Sequence, residues 1–492
     1  MISVFLREQK RYSLEDLAKA LKCSAEKAVR ILKRLKEYGV LKAVSASDRQ
    51  KHLTDLAEED IEIADIEAGE SGYLYVFTFV GVITIRGYVL KCCPKYLPDG
   101  NVPRAELIQS LKQVLKVLEK YNAQEQIIRM YNETSGSSAF NMLAVMLFLL
   151  HDYIENGVYS STQDIIEANG QGEILWDKTI NETFTLLSGN RPYYPELLTR
   201  KRVQDEYDFF TRLHKCIITR CSKELRDAGL LELFDIAGAD ISDEDIEDFG
   251  DKEYVLNRIA RELNVQFSTR KQLLLKTLYA YMANSNTLDN LDCFSMFGTS
   301  TFNLVWEKVC AEVLDNQLQR PISSLPVPLA GQYKAMRRKK LIDLIERPKW
   351  TGTAQDGTTF ARLASDTLVP DIVSVVKAGE NDCRFIIFDA KYYNLLLERH
   401  KDLSGNPGIE SVTKQYLYQL AFQPFTEAHK MQVRNCFLMP TASSEIIAKG
   451  TVTLAMLQSL GLKDIQIRLL PAKLMYRHYL EGSRLDIRSL HL

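Results

Sequence analysis

Apolar residues along this chain follow two rhythms, and the switches between them mark out its elements. Residues 13–39 carry the helical one: SLEDLAKAL (13–21) opens on a serine suited to cap a helix, KCSAEKAVRILKRLKEYG (22–39) repeats the capped pattern, and Gly39 ends it. Helix, short turn and helix predict a helix-turn-helix, winged-helix-like module over 1–55. Residues 73–100, YLYVFTFVGVITIRGYVLKCCPKYLPDG, are rich in β-branched and aromatic side chains, with Gly87 as a turn and Pro94 and Pro98 as breakers. They predict a β-rich segment over 73–103. From 104 to 295 the helical spacing returns; AFNMLAVMLFLLHDYI (139–154) reads as a buried helix and the acidic DIAGADISDEDIEDFGD (235–251) as an exposed loop. Beyond 296 the order is a helix at 300–317, strand-like runs TTFARL (358–363), DIVSVVK (371–377) and RFIIFDAKYY (384–393), a helix at 408–425 and a strand at 433–440.

Composition narrows the class. A chain of 492 residues has room for roughly two to four domains, and the pattern divides it into the module at 1–55, an acidic linker at 56–72, the β-rich segment at 73–103, a helical domain at 104–295 and a mixed domain at 296–492. The expected class is a multidomain α+β protein. A formal charge of -2 with 26% charged residues excludes a wholly basic nucleic-acid binder, so any DNA-binding surface is local. Residues 1–52 hold 13 Lys or Arg against 6 acids, and the second helix presents Lys27, Arg30, Lys33, Arg34 and Lys36. These are candidate DNA contacts, although a charged helix face is also the ordinary solvated surface, and such modules also bind protein. Nine cysteines without a CxxC pair point to reduced thiols in a cytoplasmic protein, away from a disulfide framework or structural zinc. The N-terminal stretch shows no secretory pattern, the most apolar segment is too short to span a bilayer, and no membrane partner is expected. Nothing matches GxxxxGK(S/T), so this chain is not itself a P-loop NTPase.

The segment VPDIVSVVKAGENDCRFIIFDAKYY (369–393) carries the chemistry. Magnesium prefers carboxylate oxygens, and phosphodiester hydrolysis needs such an ion to polarise the phosphate and acidify a water. Asp389 and Lys391 are two apart on a strand and project from one face. A hairpin centred on Glu380 sets Asp371 directly opposite Asp389. Lys391 then neutralises charge on the phosphate, or orients and helps deprotonate the water. In the preceding helix, Phe302, Val305, Trp306, Val309 and Val313 form the apolar stripe, with Glu307 at its edge as a further candidate ligand. Downstream, Lys414, Gln415, Tyr418 and Gln419 share one region of a helix, suited to bracing the site or touching a phosphate backbone.

WEKVCAEVL (306–314), VPDIVSV (369–375) and FDAKYYN (388–394) resemble the LlaJI-type restriction endonucleases, a family related to McrC, the nuclease subunit of McrBC-type systems. FVGVITIRGYVLKCCPKYLP (79–98) resembles the β-rich N-terminal segment of those proteins. The resemblance implies a PD-(D/E)xK nuclease core of order αβββαβ, with Asp371, Asp389, Lys391 and Glu307 as catalytic residues and Asp371, Asp389 and Glu307 as ligands to Mg²⁺, or to Mn²⁺ in its place. It further implies a subunit that cuts double-stranded DNA with a separate McrB-type AAA+ GTPase, in a restriction system that includes a cognate methyltransferase. The basic module at 1–52 lies outside the minimal McrC pattern. It leaves open a self-sufficient endonuclease that reads DNA through Arg30, Lys33 and Arg34, and an inactive nuclease fold serving as a DNA-binding adaptor.

Overall fold

The computed structural model describes residues 1–45, 73–98, 103–123, 131–134, 137–205, 207–284, 294–377, 379, 382–458 and 460–492. The acidic linker expected at 56–72 and the hairpin centre at Glu380 lie outside the described residues. The chain forms two compact units, one of Met1–Ser3, Thr84–Val89 and Ile128–Met296, the other of Val4–Ile83, Leu90–Ile127 and Phe297–Leu492. No described helix is long and apolar enough to cross a membrane.

The N-terminal elements are β1 (Ile2–Arg7), β2 (Arg11–Tyr12), α1 (Leu14–Leu21), α2 (Ala25–Glu37), β3 (Leu41–Ser45) and β4 (Tyr73–Phe77). Ser13 and Asp16 make a reciprocal capping box on α1, and Ser24 accepts the Lys27 amide at the start of α2, satisfying donors that a helix start leaves open. Leu17 and Leu21 of α1 and Ile31, Leu32 and Leu35 of α2 are buried at the spacing the sequence predicts. Strands flank the two helices. Ile2–Arg7 is a strand with Val4 and Leu6 turned inward, and β2, β4 and β3 form an antiparallel sheet.

The run at 73–103 also divides between two sheets. β4 pairs with β2 and β3, whereas β5 (Val80–Ile85) and β6 (Tyr88–Cys93) join β1 in the sheet order β1-β6-β5, closed by a later strand. Unbroken apolar character across 73–85 conceals the change of partner. Gly87 is the predicted turn: Arg86 and Gly87 hold φ of 49° and 80°, the left-handed pair that a tight two-residue hairpin requires. Helix α3 (Arg104–Ala123) follows.

The middle region contains β7 (Tyr131–Thr134), β8 (Ser137–Phe140), α4 (Met142–Asn156), β9 (Ser161–Ala168), β10 (Glu173–Ile174), α5 (Trp176–Glu182), β11 (Leu186–Ser188), β12 (Arg191–Tyr193), β13 (Leu198–Asp205), α6 (Phe209–Asp227), α7 (Leu231–Phe234), α8 (Lys252–Val265) and α9 (Thr269–Ala283). The buried helix at 139–154 is α4, capped by Asn141. The expectation of a helical domain over 104–295 is corrected by the sheet β10-β13-β9 and the hairpins β7-β8 and β11-β12. Strands β9 and β13 lack an apolar alternation to betray them. Exposed ion pairs lie across β13 instead: Arg202 sits opposite Asp164 of β9 and pairs with it at 3.2 Å, and Arg200 sits opposite Glu173 of β10 at 2.6 Å. The acidic stretch 235–251 is mainly loop, but Ile236, Ala239 and Phe249 are buried, so it is pinned to the unit.

The C-terminal region runs β14 (Phe294–Thr299), which completes the sheet with β5, then α10 (Phe302–Val313), β15 (Lys349–Thr353), β16 (Thr359–Leu363), β17 (Ile372–Lys377), β18 (Cys383–Ala390), α11 (Ile409–Ala428), β19 (Gln432–Thr441), β20 (Ile447–Val452), α12 (Ala455–Gln458), β21 (Ile465–Pro471) and α13 (Ala472–Glu481). Its central sheet has the order β17-β18-β19-β21-β20; β18, β19 and β21 are parallel, and both edge strands are antiparallel to their neighbours. Helices α10 and α11 pack against β18. The expected αβββαβ order is corrected at its first strand. TTFARL pairs with β15 in a separate two-stranded ribbon with every position of β16 exposed; it interleaves Thr359 and Arg362 with its apolar residues, whereas a strand covered on both faces reads as a nearly continuous apolar run. Strands β20 and β21 and helix α13 extend the order further.

Candidate active site

Strands β17 and β18 converge on the paired acids. Ile372 lies opposite Phe388 and the pairing continues to Lys377 opposite Cys383, the register that a hairpin centred on 380 requires. One further step sets Asp371 beside Asp389. The Ala390 amide donates to Asp371 Oδ2 at 3.0 Å, which ties that carboxylate across the hairpin mouth. Lys391 Nζ lies 3.0 Å from Asp389 Oδ1, and the Lys391 amide donates to the Leu438 carbonyl of β19 at 2.9 Å. That same carbonyl accepts Trp306 Nε1 of α10 at 3.2 Å.

The electrostatics follow from burial. Asp389 is 4% exposed; desolvation, then its hydrogen bond and charge contact with Asp371, push its pKa up against the pull of Lys391. Burial works against the Lys391 ammonium, but Asp389 and Asp371 outweigh it and its pKa is raised. Glu307, half-buried on α10, is raised by desolvation and by Asp371, with Lys391 opposing, so it shares the same field. Tyr418 of α11 is pushed up to about 12 by burial and then by Asp371, Asp389 and Glu307. The four predicted residues and Tyr418 thus form one neighbourhood.

The other predicted residues separate. Gln415 is buried and donates from Nε2 to the Ile387 carbonyl at 3.0 Å, two residues before Asp389, which braces β18. Gln419 is also buried, and its Oε1 accepts from Asn435 at 2.8 Å. Lys414 is exposed on α11. Arg30, Lys33 and Arg34 are exposed on α2, an element outside this site; Arg34 pairs with Glu37 at 3.1 Å.

Two supports have no counterpart in the sequence reading. Asn316 and Gln317, just past α10, zip to the outer edge of β17. The Asp371 carbonyl accepts Asn316 Nδ2 at 2.9 Å, and the Val373 amide donates to Asn316 Oδ1 at 3.1 Å. Gln317 donates from its amide to the Val373 carbonyl at 2.8 Å, and its Oε1 accepts the Val375 amide at 3.1 Å. Two consecutive side-chain amides after a helix were the available signal.

The second support starts at the residue after Lys391. The Tyr392 hydroxyl donates to Glu8 Oε2 at 2.6 Å, the Lys95 amide donates to the same carboxylate at 3.2 Å, and the Lys95 ammonium lies 4.5 Å from the Tyr392 ring centre. Glu8 is raised by burial above all, although Lys95 and Tyr392 oppose it; Lys95 is lowered to about 8, again chiefly by burial. Both partners move toward neutrality, so desolvation exceeds their attraction. An acid whose folded pKa exceeds its unfolded value contributes stability that is fully present below the unfolded value and lost as pH rises through the folded one. Glu8→Gln, which keeps an acceptor for Tyr392, is therefore expected to flatten the decline of unfolding free energy from about pH 4.5 upward. Urea denaturation of both proteins at stepped pH tests this, and parallel pH curves would refute it.

A hard cation fits the donor set. Asp389 Oδ1 is buried with the Lys391 ammonium 3.0 Å away, and Asp371 stands beside the same carboxylate. Among the described residues no three His, Cys, Asp or Glu groups are gathered tightly enough to close on an ion. The expected set of Asp371, Asp389 and Glu307 is therefore not closed around one point in this structure; Asp371 and Asp389 would be the two carboxylates to hold a magnesium ion, which commonly takes one or two and completes its shell with water and substrate phosphate.

Residues 79–469, from just before β5 into β21, match the family described as LlaJI restriction endonuclease. The chain belongs to the LlaJI restriction endonuclease family. Its enzyme class is that of the restriction endonucleases. A curated relative, the type II restriction enzyme BsuMI component YdjA of Bacillus subtilis (strain 168), is 27% identical over 421 residues, 84% of this chain and 83% of that protein. Among solved structures, the chain is similar to one from the Thermococcus gammatolerans assembly of McrB AAA+ hexamers with bound McrC, at a TM-score of 0.37 and 11% identity over 98% of this chain and 99% of that one. It is also similar to one from the Thermococcus gammatolerans McrBC complex, at a TM-score of 0.25 and 11% identity over 62% and 85%. Scores of this size fix neither topology nor chemistry. The LlaJI match includes every element of the site: α10, β17, β18, α11 and β19.

Proposed function

We propose that this LlaJI-family chain is a Mg²⁺-dependent endonuclease subunit that hydrolyses phosphodiester bonds of double-stranded DNA with Asp371, Asp389 and Lys391 at a PD-(D/E)xK centre. The observation that carries this reading is the meeting of two carboxylates and a lysine at the mouth of one hairpin. Asp371 and Asp389 hold the cation, with Glu307 adding negative charge from α10. Bound there, the ion supplies charge stabilisation at the phosphate and a more acidic water. Lys391, fixed by its main-chain bond to Leu438, offsets charge that develops on the phosphate or holds the attacking water. Gln415 keeps β18 in place, and burial excludes bulk water from Asp389, which strengthens each of these interactions.

The subunit reading draws on two further points. The sequence has no phosphate-binding loop, so a nucleotide-driven step needs a second chain, proposed as a McrB-like AAA+ GTPase, with a cognate methyltransferase protecting host DNA. The Bacillus relative is itself named as a component of a restriction enzyme. A second reading, the self-sufficient endonuclease, draws on α1 and α2, whose capped helices stand beside the β2-β4-β3 sheet with Arg30 and Lys33 exposed.

Purified protein incubated with duplex DNA is expected to cut in Mg²⁺ or Mn²⁺ and to stop on chelation, and Asp371→Asn is expected to raise the metal concentration needed for half-maximal cutting about tenfold or more. Metal-independent cutting would overturn the assignment. Site-specific cutting without nucleotide or partner would favour the second reading.

A further inference from the structure

The basic stretch that leads to the detached ribbon has no part in the site above. Residues 334–363 carry eight Lys or Arg against three acids, in a chain whose net charge is -2. Lys334, Arg337, Arg338, Lys339 and Lys340 are all exposed, as are Arg347, Lys349 and Arg362. None of the eight forms an ion pair among the described residues.

This is not a loose tail. Tyr333 is buried at one end of the turn, edge-on to Phe425 of α11 with ring centres 5.0 Å apart, and Leu341 is buried at the other. Between them the Arg337 and Lys339 carbonyls accept the Ser323 and Ile322 amides at 3.1 and 2.9 Å. The cations are therefore presented on an ordered backbone, and less conformational freedom is lost when they meet a ligand.

The ribbon adds a second, independent feature. Trp350 lies opposite Arg362 and Gly352 opposite Phe360, so Trp350, Phe360 and Arg362 share one face. Trp350 is 72% exposed and Phe360 48%, while Leu363 on the other face is 68% exposed. The Arg362 guanidinium stands 5.7 Å from the Phe360 ring centre. A lone two-stranded hairpin gains little by holding aromatic side chains in water. A two-stranded ribbon has the width to enter the major groove of DNA, and eight cations without acidic partners match a phosphate backbone rather than an apolar protein partner. Only seven residues (364–370) separate the ribbon from Asp371.

We propose that the basic turn at 334–340 and the ribbon β15-β16 form the surface that grips duplex DNA, with the cations on phosphates and the Trp350, Phe360 and Arg362 face in a groove. This rests on the nuclease reading and assigns its substrate a place on the fold.

The test uses the full chain carrying Asp389→Ala, so that the duplex stays intact, and fluorescence anisotropy of a labelled duplex across a salt series. One variant adds R337A, R338A, K339A and K340A; a second adds W350A and R362A. All altered side chains are exposed, and thermal melting verifies the fold. The first variant is expected to weaken binding at least tenfold and to flatten the dependence of log affinity on log salt by about 0.9 for each phosphate no longer neutralised. The second is expected to weaken binding severalfold. If the parent binds duplex and both variants match it in affinity and slope, the surface is wrong while the nuclease reading stands. If the parent binds no duplex, or unlabelled RNA displaces the duplex at equal concentration, the assignment falls, and the first of those results removes the nuclease reading as well.

Discussion

Asp389→Ala protein is expected to keep its fold and to cut DNA at least about a hundredfold more slowly, the scale seen when a preorganised charge is removed from a reacting phosphate or carbonyl. The structure separates the two effects. Asp389 is buried, and burial and then Asp371 raise its pKa against the pull of Lys391, so its ionised form is unfavourable in the fold. Lys391 keeps part of its side chain in solvent, at 23% exposure, and tolerates loss of its partner. The substitution should therefore leave the melting temperature level or higher while removing metal affinity and cutting together. A matched set of melting curves, cation titrations and single-turnover cleavage rates checks this. Undiminished cutting would dismiss Asp389 from the reaction, and a collapsed melting temperature would mark it as structural.

The largest loss of stability is expected at Trp306. Its ring is fully buried on α10, packs edge-on to Tyr476 at 6.2 Å between ring centres, and bonds the Leu438 carbonyl. Trp306→Ala should cost roughly 3–5 kcal/mol through lost transfer energy and the cavity that remains. Because Leu438 also receives the Lys391 amide, α10 and the lysine are held at a single point of β19. Trp306→Phe keeps most of the packing and removes the indole donor, so its cost should be only about 1–2 kcal/mol. Denaturant midpoints for the two variants discriminate packing from hydrogen bonding; equal losses would show that the indole bond, not the buried volume, dominates.

The geometry of the candidate site was legible because its central residues are local in sequence. Asp389 and Lys391 are two apart, and hairpin symmetry about 380 supplies Asp371; the α10 stripe was equally plain, since Phe302, Val305, Trp306, Val309 and Val313 are all buried. What stayed hidden depends on distant partners. Tyr392 reads as one more strand residue until Glu8, 384 positions earlier in the chain, accepts the hydrogen bond of its hydroxyl. Strands β9 and β13 carry Asp164 and Arg202 where a strand pattern calls for apolar residues, and only their pairing explains them. TTFARL misled in the opposite sense: its composition is strand-like, and a strand it is, but composition cannot say which sheet receives it.

The seam of Asn316 and Gln317 along β17 constrains assembly. The outward main-chain groups of Val373 and the Val375 amide are already occupied, so a second molecule finds no open ladder there to extend. At the far side of the sheet, β20 is broken by an irregularity between Ala448 and Gly450, a device that discourages strand-to-strand joining. A second copy that approaches this sheet is therefore expected to meet it through the surrounding helices or loops and not by lengthening β17 or β20.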